Sequence, residues 1–446
     1  MDNANHRREF IRTLSLAGTS LLLSPGLMAG ARFFSGKPND KVLLGIMGTN
    51  SRGLFLAKTF AKFPNVEIAY ICDPDSKVLE YTISEIEKIT GKKPQGFSDI
   101  RKLLEKKDFD GLVIAAPDHW HAPAAIMALQ AGKHVYVEKP CSHNPGEGEL
   151  LVQASQKYNF KVQMGSQRRT FTNVKDMIAK LHSGAIGRVY FARGWYVNNR
   201  KSIGKGTIIP VPANLDFNLW QGPAPRRNYR SNLVHYNWHW FWHWGTGEAL
   251  NNGTHELDVI RWGLNVDYPN QVVSAGGRFQ FNDDWETPDT QTITYNFPNN
   301  TACTWEGRSC NNYNSEGSGR GVIFYGDKGT VVYPGGNGYK IFDTDNKLVA
   351  EVKDNTPVDA GNPVSPTELL DATHLQNFAQ AIRGNETINA PIAEGHKSTL
   401  LPQLGNIAFR VGRVLKCDPS NGHILHDNEA MKLWNREYEK GWAPKI

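Results

Sequence analysis

From residue 41 to residue 140, short unbroken apolar runs alternate with stretches in which apolar residues recur at helical spacing. Residues 41–47, 66–72, 110–116 and 134–138 read as buried strands, and 54–63, 76–90 and 122–131 as the helices between them. Turn and breaker residues punctuate these elements: Gly48 to Gly53, Asp73-Pro74-Asp75, Pro117 and Pro140. Strands alternating with helices at this spacing predict an α/β Rossmann fold, a doubly wound parallel sheet with helices on both faces.

Past about residue 165 the texture changes. Residues 189–197, 271–281, 290–297, 302–309, 321–325, 330–333 and 339–342 read as strands separated by Gly, Asn and Asp turns. Short connections favour antiparallel pairing. Helical spacing returns at 374–383 and 398–415. The expected organisation is a nucleotide-binding domain over 41–165 and an α+β domain over 166–446 with a mostly antiparallel sheet.

Residues 1–31 read as a targeting segment. Arg7-Arg8 and Phe10 precede an apolar run from Leu14 to Leu23, and small residues follow at Met28 to Ala31. The arginine pair resembles the twin-arginine type of export signal. The run is too short to span a bilayer comfortably, so a periplasmic protein with no membrane span in its mature form is expected, with 32–40 as a polar linker. Nucleotide cofactor is scarce outside the cytoplasm. A tightly held dinucleotide, recycled within each turnover, is the corresponding expectation.

With 446 residues, 40% of them hydrophobic, the chain can bury more than one core. The net charge of +6 is thinly spread. No Lys/Arg block is interleaved with aromatics, which argues against nucleic-acid binding. Five cysteines, an odd number at irregular spacing, argue against a disulfide framework and give no zinc-binding pair. Of 12 tryptophans, four crowd into Trp238-His239-Trp240-Phe241-Trp242-His243-Trp244. Such faces suit a carbohydrate partner, and equally a core cluster. Tyr196, His239, Trp240 and Trp242 are the candidate sugar contacts. The i, i+4, i+8 spacing of His235, His239 and His243 invites a metal reading. The period-two tryptophans between them favour an extended or irregular segment instead, and no metal is expected.

Gly48-Thr49-Asn50-Ser51-Arg52-Gly53 matches a G-x-G-x-x-G dinucleotide turn with Asn50 in place of the middle glycine. Asn tolerates left-handed backbone better than most residues, so the turn survives the change. Asp73, at the end of the second strand, suits the ribose hydroxyls and favours NAD, while Arg52 leaves NADP open.

At Ala116-Pro117-Asp118-His119-Trp120-His121 and Val137-Glu138-Lys139-Pro140 the chain resembles the glucose-fructose oxidoreductase, inositol dehydrogenase and rhizopine catabolism family, Gfo/Idh/MocA. Gly245 to Glu248, Gly253 to Asp258 and Glu394 to Ser398 extend the resemblance. It implies a large open sheet in the second domain, often used for dimers or tetramers, and a small carbohydrate substrate. Ala116, Pro117, His119, His121 and Glu138 then line the cofactor cleft. Lys139 sits beside the nicotinamide and the reacting hydroxyl, and His255 acts as acid/base. Many members carry Asp four residues before this His. Here Asn251 stands there, and an amide orients by hydrogen bond but takes no proton. These types suit alcohol oxidation: a His is a base near neutrality, and a Lys cation stabilises a developing alkoxide. Gln167, Arg168 and Arg169, after the domain crossover, are candidates for contact with substrate or an anionic group.

Three functions fit this pattern: an NAD(P)-dependent sugar or polyol oxidoreductase, a redox-neutral glycoside hydrolase working through a keto-sugar, and a non-catalytic sugar or nucleotide sensor. Lys139 and His255 speak against the third.

Overall fold

The computed structural model describes residues 41–357 and 368–446; the targeting segment read at 1–31 lies outside them. The first half runs β1 (Val42–Met47), α1 (Arg52–Ala61), β2 (Val66–Cys72), α2 (Ser76–Thr90), β3 (Gln95–Phe97), α3 (Ile100–Leu104), β4 (Gly111–Ile114), α4 (His121–Gln130), β5 (His134–Val137), α5 (Pro145–Tyr158) and β6 (Val162–Met164). These strands form a six-stranded parallel sheet in the order β3-β2-β1-β4-β5-β6. The order reverses between β1 and β4, and the crevice at the carboxyl ends of those two strands is where such sheets bind ligands. The strands are buried on both faces, which is why they read as continuous apolar runs.

The chain continues through α6 (Thr172–His182), β7 (Val189–Val197), α7 (Phe217–Gln221), α8 (Gly247–Asn251), α9 (Gly253–Leu264), β8 (Gln271–Gly277), β9 (Thr290–Phe297), β10 (Thr301–Arg308), β11 (Arg320–Gly326), β12 (Gly329–Tyr333), β13 (Tyr339–Phe342) and β14 (Leu348–Val352). After the undescribed residues come α10 (Glu368–Ile382), α11 (Ile392–Val411), β15 (Leu415–Lys416) and α12 (Asn428–Met431). The second sheet has nine strands in the order β14-β13-β12-β11-β7-β10-β9-β8-β15. Every neighbouring pair is antiparallel except β7 with β10. Along β10 burial alternates strictly, placing Cys303 and Trp305 on the face covered by α6, α9 and α11.

Three departures from the sequence expectation have physical causes. β14 is an edge strand without a fully buried residue; its short run Leu348-Val349-Ala350-Glu351-Val352 is mostly apolar but does not alternate, and only pairing with β13 defines it. The helix read at 398–415 starts earlier, at Ile392 after Pro391, and stops at Val411 because Gly412 caps it at φ +66°. α10 falls within 166–446 yet packs on the first sheet: Leu375, Phe378 and Ile382 join Leu44, Ile46 and Phe60 in one core. With α1 and α2 it covers one face of that sheet, and α3, α4 and α5 cover the other. Among the described residues no helix is long and apolar enough to cross a membrane.

Between β7 and α8 lies a 198–246 segment with its own small core, built around Phe217, Trp220, Leu233, Trp238, Phe241 and Trp244. It reaches across to the Rossmann sheet. The Ser76 amide donates to the Asn214 carbonyl at 2.8 Å, and the Asp216 amide to the Pro74 carbonyl at 3.0 Å.

Candidate functional site

A cavity of about 720 Å³ opens at the reversal point of the first sheet and extends to α8, α9 and the second sheet. A larger trough on the outside of the 198–246 segment, lined by Arg226, Arg227 and Asp284 among others, holds none of the candidate residues. Chemistry is placed in the smaller cavity because the titratable side chains converge there.

Its first wall is the β1–α1 turn. Gly48 sits at φ +76°, and a Cβ there would lie 2.6 Å from the Ala116 Cα. A side chain at Gly53 would meet the Gly48 carbonyl at 1.8 Å. The turn is therefore drawn against β4 as tightly as the dinucleotide fingerprint requires. Asn50, Ser51 and Arg52 line the cavity at the start of α1, where first-turn amides have no intrahelical acceptor and favour a phosphate. Thr49 faces inward instead. Its amide donates to Asp73 Oδ2 at 2.8 Å, and the Asp75 amide donates to Oδ1 at 2.9 Å. Burial raises the Asp73 carboxyl above its ordinary range, with those amides opposing. Asp73 still borders the cavity, as do Ala116 and Pro117 on the far side. This cradle fits a dinucleotide: the first-turn amides of α1 would hold its pyrophosphate, and Asp73 would face its ribose.

Two expectations change here. Arg52 does not reach toward a ribose phosphate: its guanidinium is held by Glu138 and Asp371, each at 2.9 Å. His119 is fully buried behind the wall, its ring nitrogens 3.3 Å from the Trp244 carbonyl and 3.1 Å from that of Trp220. It fastens the 198–246 segment to the Rossmann domain. His121 borders the cavity, with its ring nitrogens at the carbonyls of Pro140 (2.6 Å) and Ala116 (2.7 Å).

Lys139 projects from the end of β5. Its ammonium donates to the Asn251 main-chain carbonyl at 2.7 Å and to the side-chain oxygen at 3.4 Å. Burial lowers its pKa, which the nearby carboxylates of Glu138 and Asp118 oppose. Asn251 ends α8, and its amide group donates to Glu248 at 3.3 Å. Glu248 is buried but ion-paired with Arg200 at 2.5 Å. Burial alone would raise its carboxyl; Arg200, Asn252 and Ser309 hold it below the usual range. His255, in the first turn of α9, also lines the cavity. Burial, then the cations Arg168, Arg320, Lys139 and Arg52, push it well below the ordinary histidine value. The imidazole is thus held neutral, and the same cations weaken it as a base.

Of the residues read as substrate contacts, Gln167, Arg168, Tyr196 and His239 border the cavity. The structure does not bring the other three there. Arg169 is buried in a bidentate pair with Asp258, its closest approach 2.8 Å. Trp240 is sealed in a stack with Trp285, ring centres 3.9 Å apart. Trp242 lies under Arg410. The cavity instead takes Tyr236 and Trp238, with the His239 ring stacked 3.6 Å from Trp238. Arg200, Arg320 and His235 also border it, unanticipated because no local motif marks them. The 237–240 stretch is a short 3-10 turn, so neither strict helical nor strict alternating spacing sorts its inner from its outer side chains. His235, His239 and His243 turn to separate partners: Asp75, the Tyr236 carbonyl and the Pro225 carbonyl. Among the described residues no group of acidic, His and Cys side chains has metal-binding geometry.

Comparison with known proteins agrees with this architecture. Residues 42–166 match a family model described as an oxidoreductase family NAD-binding Rossmann fold, and 194–444 match the corresponding C-terminal alpha/beta domain. A glycosyl hydrolase family 109 protein of Shewanella pealeana is 30% identical over 210 residues, 43% of this chain. That match spans 46% of the relative, so the chain covers about half the length of the curated relatives it matches. The scyllo-inositol dehydrogenase of Lactobacillus casei, solved with NAD(H) and scyllo-inositol, superposes with a TM-score of 0.61 at 17% identity, over 84% of this chain and 99% of that one. The WlbA dehydrogenase of Bordetella pertussis, in complex with NADH and UDP-GlcNAcA, gives 0.62 at 19%, over 85% and 99%. At these identities the likeness is one of fold.

Proposed function

This chain belongs to the Gfo/Idh/MocA oxidoreductase family, and from that premise we propose that it oxidises or reduces a hydroxyl-bearing carbon of a sugar, glycoside or polyol, using a tightly held NAD. The observation that carries the reading is that Lys139 and His255, 116 residues apart in the chain, border one cavity with the Gly48 turn. NAD, when bound, supplies the hydride acceptor. The protein does the rest. Lys139 donates a hydrogen bond to the substrate oxygen and stabilises its developing negative charge. His255, kept neutral, takes the hydroxyl proton. Tyr236, Trp238 and His239 offer an aromatic wall for the apolar face of a sugar ring. The 198–246 segment limits water on one side.

A second reading is favoured by the curated relatives named as glycosyl hydrolases. Oxidation of a ring hydroxyl acidifies the adjacent C–H, which permits elimination of the aglycone. Water addition and reduction then return the cofactor to its starting state. Both readings use the same Lys139 and His255 roles. Incubation of the purified protein with glycosides and a carbonyl compound as hydride acceptor, followed by chromatography, separates them. A keto-glycoside indicates the dehydrogenase and a free reducing sugar the hydrolase. Denaturation and mass spectrometry of the same preparation should release nicotinamide dinucleotide; protein purified without any would sink the tightly held cofactor. A preparation that carries the cofactor yet turns over no sugar revives the sensor.

Export by the twin-arginine route and homo-oligomer formation are part of the same proposal. Signal-sequence replacement with cell fractionation, and light scattering, test them.

A further inference from the structure

One buried charge has no role in that scheme. Arg168, in the turn after β6, is 8% exposed, yet it borders the cavity. The other arginines around it are matched. Arg52 pairs with Glu138, Arg169 with Asp258, Arg200 with Glu248 and Arg320 with Glu256. Arg168 has a hydroxyl neighbour, Tyr333, and no salt bridge of its own among the described residues; the carboxylate that acts on it, Glu256, is already paired with Arg320. Lys139 adds a second cation whose hydrogen bonds go to an amide residue rather than a carboxylate. A buried guanidinium and a partly buried one that share one carboxylate leave a net positive charge that is costly to keep unless something arrives to neutralise it.

We propose that the substrate carries an oxyanion, a carboxylate or a sulfate, received by Arg168 with Arg320 beside it. The planar guanidinium fork matches the paired oxygens of either group. The cofactor pyrophosphate does not meet this need, because its cradle is the turn between β1 and α1 at Gly48, whereas Arg168 lies in the turn after β6 and Arg320 at the start of β11 of the second sheet. The proposal rests on the sugar oxidoreductase reading, since it puts the anion on the molecule whose hydroxyl meets Lys139 and His255. It also accounts for the electrostatics: an anion at Arg168 relieves the positive field that holds His255 down, making it a stronger base when substrate is in place.

The test is a matched panel assayed with the purified full chain and a carbonyl compound as hydride acceptor: methyl glucoside, methyl glucuronide and methyl glucoside 6-sulfate, in both anomers and with the galacto series. Product formation is followed by chromatography. One acidic member is expected to exceed its neutral twin by roughly 100-fold in kcat/KM, and which acid wins identifies the oxyanion. Arg168→Gln should abolish that preference through KM, Arg168→Lys should restore part of it, and bound nucleotide should be unchanged in both. Equal turnover of neutral and acidic twins, or an acid preference that survives Arg168→Gln, overturns the proposal and leaves the oxidoreductase reading standing. No turnover of any member counts against both.

Discussion

The Lys139 ammonium lies 2.7 Å from the main-chain carbonyl of Asn251 and 3.4 Å from its side-chain oxygen. The stronger contact is therefore one that any residue at 251 supplies. An Asp at this position, which the resemblance leads one to expect, is therefore not needed to place Lys139. Asn251→Asp should raise the Lys139 pKa by adding an anion beside it. It should alter kcat at neutral pH by less than about 10-fold. A rate–pH profile checks both, and a basic limb that fails to move upward would show that residue 251 is not coupled to the ammonium.

The pH dependence follows from the two perturbed groups. In the proposed scheme His255 works neutral, so activity is expected to be lost as pH falls through its pKa. Burial and the surrounding cations set that value well below 6.5, so the acid limb should lie below 6.5. In the same scheme Lys139 works charged, so activity is expected to be lost as pH rises through its pKa, which burial sets below 10.5. His255→Gln should remove the acid limb and lower kcat by roughly 10²–10⁴-fold. An acid limb at or above 6.5 in kcat/KM of the wild-type protein would contradict the assignment.

Trp240 and Tyr236 are near neighbours with different duties. Trp240 is 1% exposed against Trp285, whereas Tyr236 is 49% exposed and borders the cavity. Trp240→Ala should cost about 3–5 kcal/mol of stability. Tyr236→Ala should leave Tm nearly unchanged and raise KM. Thermal melts alongside sugar titrations distinguish the two, and the reverse pattern would relocate the sugar wall.

The 198–246 segment clasps the β2–α2 turn at Asp75. Its Oδ2 accepts from Asn214 at 2.8 Å and His235 at 3.0 Å, while Oδ1 caps α2. Burial would raise the Asp75 carboxyl, but Asn214, the Val78 amide and His235 bring it below the ordinary range. The clasp therefore holds at neutral pH and opens as pH falls through that lowered value. Asn214→Ala and His235→Ala should each speed loss of bound nucleotide by roughly 10–100-fold, the loss expected for one hydrogen bond to a charged group. Gel filtration followed by nucleotide analysis measures it; retention equal to wild type would show that the clasp does not close the cofactor end.

Much of the scaffold was legible because its signals are local. β1, β2, β4 and β5 announce themselves as apolar runs, and the Gly48 turn, Asp73 and Lys139 fall at the ends of those runs, where chain order alone places them at one sheet edge. β7, β9 and β13 have the bounds read from the sequence because alternation and turn residues reveal half-buried strands.

What the sequence determined by itself is therefore the parallel sheet, the glycine turn after β1 and the strand-rich second half; the Lys139 and His255 roles come from the resemblance and stand as a proposal. Tertiary structure decided which of several identical residue types face the cavity. Arg168 and Arg169 are adjacent, yet one borders the cavity and the other locks onto Asp258. Trp238 and Trp240 share one turn, yet only the first reaches the cavity wall. The physical reason is that a neighbour's charge or ring, far away in the chain, sets the direction of each side chain, and no pattern of spacing within a segment carries that information.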